Sequence, residues 1–501
     1  MKLLWKKRET ENTQSEEAVD EIRGGNKQIM VVTYVFVGLF VGLIAYFVYF
    51  MVVDSKDVIN NSYNQRQTLL AQRVVRGKIL AADGTVLAET VRGADGKETR
   101  DYPYGNIFAH AVGHSTEGKT GIELMENFNL LTSSENPLTN ISRRLADEKT
   151  IGDNAVTTLH VDLQKAAHEA LGSRKGAVIV SEPSTGKILA MVSKPDYDPN
   201  PSSLNPQWDS LTSKDSEESC LVNRATQGLY PPGSTFKIVT ALEYIRENPD
   251  YKKFSYTCKG SETQEGFTVN CYKNHVHGTL NLKNAFAKSC NSCFANLGTV
   301  LNLGKYQKTC EELLFQKELP TTFVYNKSSF VVNRKSNKEE VMHTAMGQGK
   351  TQITPLHMHM IASAVANKGK MMKTYVVDHL ENSSGVNVRQ YKPKEGATVM
   401  TEEEADILTE FMKEVVNSGT ATSLSGFSYK VAGKTGSAEF HESKRSHSWF
   451  TGFAPANDPK VCVTVIVEES GTGSEYAVPI AKKCYRLIWE INCFLLKNSK
   501  K

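Results

Sequence analysis

In the stretch LYPPGSTFKIVTALEYI, residues 229–245, Ser234 and Lys237 form a Ser-x-x-Lys pair at the head of an apolar-periodic run. A serine hydroxyl is a weak nucleophile near neutrality, and an amine that has lost its charge through burial or a neighbouring cation is a base able to activate it. Pro231, Pro232 and Gly233 close an extended segment, so the spacing predicts that Ser234 begins a helix with Lys237 one turn on over the same face. The N-terminus of that helix turns backbone N–H groups toward whatever the serine attacks and favours a developing oxyanion.

Ser-x-x-Lys alone is common, and a second copy, Ser184 to Lys187, falls in EPSTGKIL, where turn chemistry explains both residues. Downstream of Ser234, KSCNSCF supplies Ser289-Cys290-Asn291 and VAGKTGSAEF supplies Lys434-Thr435-Gly436 followed by Ser437. Ser-x-Asn recurs at Ser62, Ser134 and Ser203 and Lys-Thr-Gly at Lys119, but one copy of each follows the serine-lysine pair in order. Lys434 opens a strand-like segment, where a second cation and an open backbone edge suit a carboxylate on an extended peptide.

A competing motif is GHSTEGKT, residues 113–120, which satisfies the phosphate-loop pattern G-x-x-x-x-G-K-[ST]. The interval 54–151 is too short for a nucleotide-binding sheet, and no apolar strand ending in Asp follows to hold magnesium. A turn entering the helix GIELMENFNLL is the expectation.

The elements that must position these groups follow from the patterning. VVRGKILAADGTVLAET alternates apolar and polar residues around Asp83-Gly84, a hairpin signal, within a small mixed module at 54–150. From residue 151 to 501, strand and helix patterns lead through a mostly helical middle to a Gly419-terminated helix, three strand candidates and a closing helix. Strands from both ends of this block are expected in one helix-covered sheet, an α/β (α+β) architecture.

The chain has 501 residues, 40% hydrophobic and 23% charged, with a net charge of +4. Without a long basic run, this excludes a nucleic-acid partner. Residues 29–53 carry no charge and predict a retained transmembrane helix. Lys2, Lys6, Lys7, Arg8, Arg23 and Lys27 precede it, against Lys56 close behind, so residues 1–28 are expected in the cytoplasm and the rest outside. Of the 9 cysteines, Cys258 and Cys271 bracket CKGSETQEGFTVNC and are the expected disulfide pair. Cys290, Cys293, His441 and His447 are weighed as zinc ligands, but core packing of Cys293 is favoured, so no metal and no cofactor are expected.

With the three motifs in order, the chain resembles the class B penicillin-binding proteins. RGKILAADGTVLAET, AHAVGH and GKTGIELMENF resemble the family's N-terminal pedestal, a dimerisation-like module. PSTGKILAMVSKPDYDPN, NRATQGLYPPGSTFKIVTAL, AMGQGKTQITPLHMHMIASAVAN and HSWFTGFAP resemble its transpeptidase domain, an antiparallel sheet flanked by helices; the likeness spans roughly residues 65–490. It implies that Ser234 attacks the D-Ala-D-Ala carbonyl of a peptidoglycan stem peptide and that Lys237 is its base. It also implies that Ser289 relays protons and Asn291 holds the peptide amide. Lys434 and Thr435 would bind the terminal carboxylate, Gly436 would leave room for the substrate backbone, and the N–H groups of Ser234 and Ser437 would form the oxyanion hole. Many relatives carry Thr where Ser437 stands. β-Lactams would acylate Ser234, and a SEDS-family polymerase in the membrane would supply glycan. A β-lactamase and a non-catalytic β-lactam-binding scaffold or sensor are the alternatives.

Overall fold

The structure, a computed structural model, describes residues 27, 29–50, 72–213, 219–439 and 444–498. It comprises two units, Met1–Arg66 and Gln67–Lys501. In the first, Ile29–Phe50 forms a helix long and apolar enough to cross a membrane. Thr33 Oγ1 donates to the carbonyl of Ile29 at 2.8 Å, which satisfies its hydroxyl within the helix. Residues 51–53 of the expected span lie outside the described residues.

The second unit begins with the predicted hairpin, Ile79–Leu80 against Val86–Arg92. Both strands belong to a six-stranded sheet that also takes in Glu98–Asp101, Asn154–Thr157, Val377–Glu381 and Asn387–Gln390. Residues from both sides of position 150 therefore share one sheet. The phosphate-loop lookalike follows a helix, Ala109–Val112, and enters the five-residue helix Gly121–Met125, so the turn expectation holds.

That short helix presents Glu123, fully buried, to two guanidinium groups. Arg76 Nε and Arg100 Nε donate to its two oxygens at 2.6 and 2.7 Å. Burial alone would raise the Glu123 pKa, but attraction to Arg100 and Arg76 and their hydrogen bonds bring it down to about 2. Glu123→Ala is expected to destabilise the second unit by about 3–5 kcal/mol, because two buried cations lose their counter-charge. The wild-type contribution is complete above the ordinary carboxylate value of 4.5 and is lost as pH falls from there toward about 2. Chemical denaturation of wild type and variant between pH 7 and about pH 3 reads both effects: the gap between the two narrows on acidification.

The larger part of this unit is built on one sheet. Helix α1 (Val161–Leu171) leads into β1 (Gly176–Ser181) and β2 (Ile188–Lys194). Helices α2 (Lys237–Glu247), α3 (Leu282–Ala287), α4 (Asn291–Val300), α5 (Pro355–Ala366) and α6 (Glu402–Asn417) form the middle. Strands β3 (Ala432–Ala438), β4 (His447–Ala454) and β5 (Val461–Val467) and helix α7 (Ala477–Asn498) close it. The sheet order is β3-β4-β5-β1-β2, antiparallel throughout, so strands from both ends of the block pair as expected. Helices pack on both faces, and β4 and β5 are buried at every position. The sequence of β5, VCVTVIV, is accordingly a near-continuous apolar run instead of an alternating one. Strand β3 forms the edge of the sheet.

Candidate active site

The edge strand and three helix termini meet around the predicted residues. Ser234 lies in a 3-10 turn, Gly233–Phe236, and Lys237 is the first residue of α2. The chain tightens before the α-helix proper, so the serine precedes the regular helix by a turn. Ser234 is half-buried, its carbonyl accepting from Lys237 N–H and its hydroxyl making no hydrogen bond among the described residues, whereas Lys237 is fully buried.

Ser289 joins α3 to α4 with φ of 55°, a left-handed conformation that costs a non-glycine residue about 1–3 kcal/mol. The turn is held by its backbone: Ser289 N–H donates to Phe286 O and Cys290 N–H to Ala285 O, at 3.1 and 3.0 Å. Lys237 Nζ donates to Ser289 O and Asn291 Oδ1, both at 2.8 Å, and to Ser289 Oγ at 3.3 Å. From the other side Lys434 Nζ donates to the same Oγ at 2.9 Å and to Thr435 O at 3.0 Å. One hydroxyl thus bridges two amines, a path along which a proton can pass.

Burial depresses both amines. It brings Lys237 down to about 8, while the cysteines near it act weakly in the opposite direction. Lys434 lies well below its ordinary range, first from burial and then from the neighbouring charge of Lys237. Each amine also faces an aromatic ring, Lys237 over Phe294 at 5.3 Å and Lys434 over Phe286 at 5.6 Å.

Strand β3 pairs with β4 along one side, and its other side receives the serine turn. A Cβ added at Gly436 would stand 3.0 Å from Trp449 Cβ and 3.2 Å from Pro232 O, so glycine is what lets the turn approach. Ser437 O accepts from Gln348 Nε2 at 3.2 Å on that open side. The N–H and C=O of a strand residue face the same way, so the Ser437 N–H also faces the serine turn. Thr435 is buried with its hydroxyl 2.5 Å from that of Thr420, beyond the end of α6.

Of the predicted residues, Lys237, Ser289, Asn291 and Lys434 converge through direct hydrogen bonds, and Ser234, Thr435, Gly436 and Ser437 lie on the adjoining turn and strand. Sequence reasoning missed Gln348, whose amide oxygen accepts from Glu439 N–H at 3.1 Å while its nitrogen reaches Ser437 O. It also missed Trp449, whose indole N–H pins Pro231 O at 3.2 Å, and Thr420. The signal for Gln348 was its place between two glycines in AMGQGKTQIT.

Gly347 has φ of 91° and accepts from Gly233 N–H at 2.8 Å. A Cβ there would fall 1.7 Å from Gly233 O. Gly347→Ala is therefore expected to cost at least ~2 kcal/mol and to displace the serine turn. A lowered melting temperature together with slower labelling by a fluorescent penicillin checks this.

One expectation about the cysteines is corrected. Cys258 and Cys271 are not bridged: their sulfurs are 3.7 Å apart, and both thiols are free. Of the zinc ligands weighed on sequence, Cys290, Cys293 and His447 do not come together among the described residues. His447 Nδ1 accepts from Glu469 N–H at 3.1 Å with its ring edge-on to Tyr230, Cys293 is buried in α4, and His441 lies outside the described residues.

Comparison with known proteins places this geometry. Residues 176–486 match the penicillin binding protein transpeptidase domain, and residues 76–155 match the penicillin binding protein A dimerisation domain. The peptidoglycan D,D-transpeptidase PbpA of Mycolicibacterium smegmatis is 31% identical over 455 residues, covering 84% of this chain and 90% of that protein. Penicillin-binding protein A from M. tuberculosis, solved as an imipenem acyl-enzyme complex, superposes with a TM-score of 0.74 at 29% identity, over 82% of this chain and 97% of that one. The D,D-transpeptidase domain of a peptidoglycan glycosyltransferase from Eggerthella lenta gives a TM-score of 0.74 at 31% identity, over 83% of this chain and 99% of that one. The chain belongs to the penicillin-binding protein transpeptidase family.

Proposed function

We propose that this protein is a membrane-anchored peptidoglycan D,D-transpeptidase that works through a serine acyl-enzyme and is acylated by β-lactams. The observation that carries the serine mechanism is the Lys237–Ser289–Lys434 bridge beside the Ser234 turn. Ser234 Oγ attacks the penultimate D-alanine carbonyl while its proton passes to Lys237 Nζ. The oxyanion is met by the N–H groups of Ser234 and Ser437. Collapse breaks the peptide bond, and the departing D-alanine takes its proton by way of Ser289. Asn291 holds the peptide amide, and Lys434 and Thr435 the terminal carboxylate, beside Gly436. An amine from a second stem then attacks the ester, gives its proton to Lys237, and releases Ser234 as the crosslinking amide forms.

Two further features support the assignment over its alternatives. No carboxylate among the described residues hydrogen-bonds to Ser234, Lys237, Ser289, Asn291 or Lys434, and a β-lactamase needs such a group to drive deacylation. A silent scaffold has no use for two buried amines, each expensive to desolvate. We place residues 1–28 in the cytoplasm, 29–53 in the membrane, a pedestal at 54–150 and the transpeptidase domain at 151–501 outside. Residues 54–150 are too few to house a glycosyltransferase, so a SEDS-family polymerase is the proposed membrane partner. The test is a labelled penicillin: a long-lived adduct on the peptide containing Ser234 supports the transpeptidase, rapid release the lactamase, and no adduct the scaffold.

A further inference from the structure

Beneath the Ser289 turn, three thiols and an imidazole converge. Cys258, Cys271, His277 and Cys290 bring their ligand atoms within 4.8 Å of one another, with all three cysteines buried and the histidine half-buried. We propose that these residues form a structural zinc site, which fixes the Ser289-Cys290-Asn291 turn in place. This set keeps only Cys290 from the zinc ligands weighed on sequence.

The separations fit a tetrahedron around one ion. With Zn–S about 2.3 Å and Zn–N about 2.0–2.1 Å, tetrahedral angles put neighbouring sulfurs about 3.8 Å apart and sulfur and nitrogen about 3.5 Å apart. Cys258 and Cys271 Sγ are 3.7 Å apart and Cys271 and Cys290 Sγ 3.8 Å, while Cys258 Sγ lies 3.4 Å from His277 Nδ1. Three soft thiolates with one imidazole in a closed, buried arrangement select zinc over hard cations. The surroundings suit coordinated thiolates too. Gly260 N–H donates to Cys258 Sγ and Ser292 N–H to Cys271 Sγ, at 3.4 and 3.5 Å, and the Ser292 hydroxyl lies 3.2–3.3 Å from all three sulfurs. Such donors offset thiolate charge and orient the ligands.

Apart from Cys290, the ligands come from two short ribbons packed against α4, with Val269 buried beside Ala295 and Asn296 donating to Glu262. Cys258 ends the strand Tyr256–Cys258, and His277 precedes its partner Gly278–Leu280, with Gly278 opposite Cys258. Cys271 follows the mostly exposed hairpin Ser261–Gln264 and Phe267–Asn270. Isolated two-stranded ribbons are marginal in water, and a metal crosslink is a common remedy. Cys290 is the N-cap position of α4, between the two residues that hold Lys237. An ion on its sulfur ties both ribbons to the strained turn on which the amine bridge depends.

The full chain, purified in detergent without chelators, is expected to carry about one zinc by elemental analysis. Cys271→Ser loses it, and Cys293→Ala, which removes the neighbouring thiol outside the cluster, keeps it. If Cys271→Ser fails to fold, the wild type answers instead: a mercurial that caps thiols releases one zinc to a colorimetric dye, and cobalt replacing zinc gives the strong visible absorption of a tetrahedral thiolate centre. Less than a tenth of an equivalent of zinc in the wild type, full zinc in a folded Cys271→Ser, an iron–sulfur content, or a disulfide peptide linking Cys258 to Cys271 or Cys271 to Cys290 overturns the site. The coupling to the turn rests on the role proposed for Ser289 and is read separately. Zinc removal is expected to slow penicillin acylation about tenfold, restored by zinc and not by magnesium; unchanged acylation overturns the coupling while the metal measurement stands alone.

Discussion

Ser234→Ala abolishes the covalent penicillin adduct, with labelling falling by more than about 10³-fold while the fold and melting temperature stay within error of wild type. The size follows from the geometry. No other hydroxyl near the amine bridge can replace the nucleophile: Ser289 Oγ is engaged by both Lys237 and Lys434, and the Thr435 hydroxyl by Thr420. The structural cost is small because Ser234 is half-buried and its hydroxyl makes no hydrogen bond among the described residues, so truncation leaves no partner unsatisfied. Non-covalent binding should persist, since the Lys434–Thr435 strand is untouched, and competition with an unlabelled penicillin detects it. Mass spectrometry of the intact chain after incubation reads the covalent step directly: a mass gain in wild type and none in the variant. An adduct on Ser234→Ala would place the nucleophile elsewhere and remove the basis of the proposed mechanism.

The residues legible in the sequence were those whose chemistry is declared locally. Pro231-Pro232-Gly233 ahead of an apolar-periodic run announces a helix start, so Ser234 and Lys237 could be set on one turn before any coordinate was known. The order of the three motifs selected Ser289 and Lys434 from their decoys, and β3, β4 and β5 were all legible as strand candidates. Tertiary partners were not legible. Gln348 and Thr420 each reach strand β3 through a hydrogen bond that only the fold brings together; two flanking glycines were the one signal for Gln348, and Thr420 had none. The cysteines show the same limit. CKGSETQEGFTVNC reads as a short loop that brings Cys258 and Cys271 together, and the structure folds it as a hairpin, but proximity does not decide between a bond and a shared ligand. That choice depends on His277 and Cys290, which only the pairing of Gly278 with Cys258 and the start of α4 bring to the same point. His447, weighed beside Cys290 and Cys293, stands elsewhere because strand register, invisible in the sequence, sets it opposite Ala438 and against Tyr230.

The rate of penicillin acylation is expected to rise with pH through about 8, roughly tenfold per unit below that value and level above about 9. Burial brings Lys237 down to about 8, so near neutrality most of it still carries a proton and only the minority neutral form accepts the one on Ser234. Burial also holds Lys434 well below its ordinary range, and the neighbouring charge of Lys237 adds to the effect. A ligand carboxylate arriving at Lys434 and Thr435 shifts the balance between the two amines. It favours a cation at Lys434, and that cation disfavours the charge on Lys237, with Ser289 Oγ 2.9 and 3.3 Å from the two nitrogens as the intermediary. The base is thus freed by the ligand it serves, and an ester of the same penicillin, which lacks the carboxylate, should acylate more slowly. Lys237→Arg tests the same point from the other side: a guanidinium keeps its charge across this range, cannot accept the proton, and should lower acylation by at least ~10³-fold at every pH. Stopped-flow labelling between pH 6 and 9.5 distinguishes the outcomes, and a flat wild-type profile with an active Lys237→Arg would rule out the neutral lysine as base.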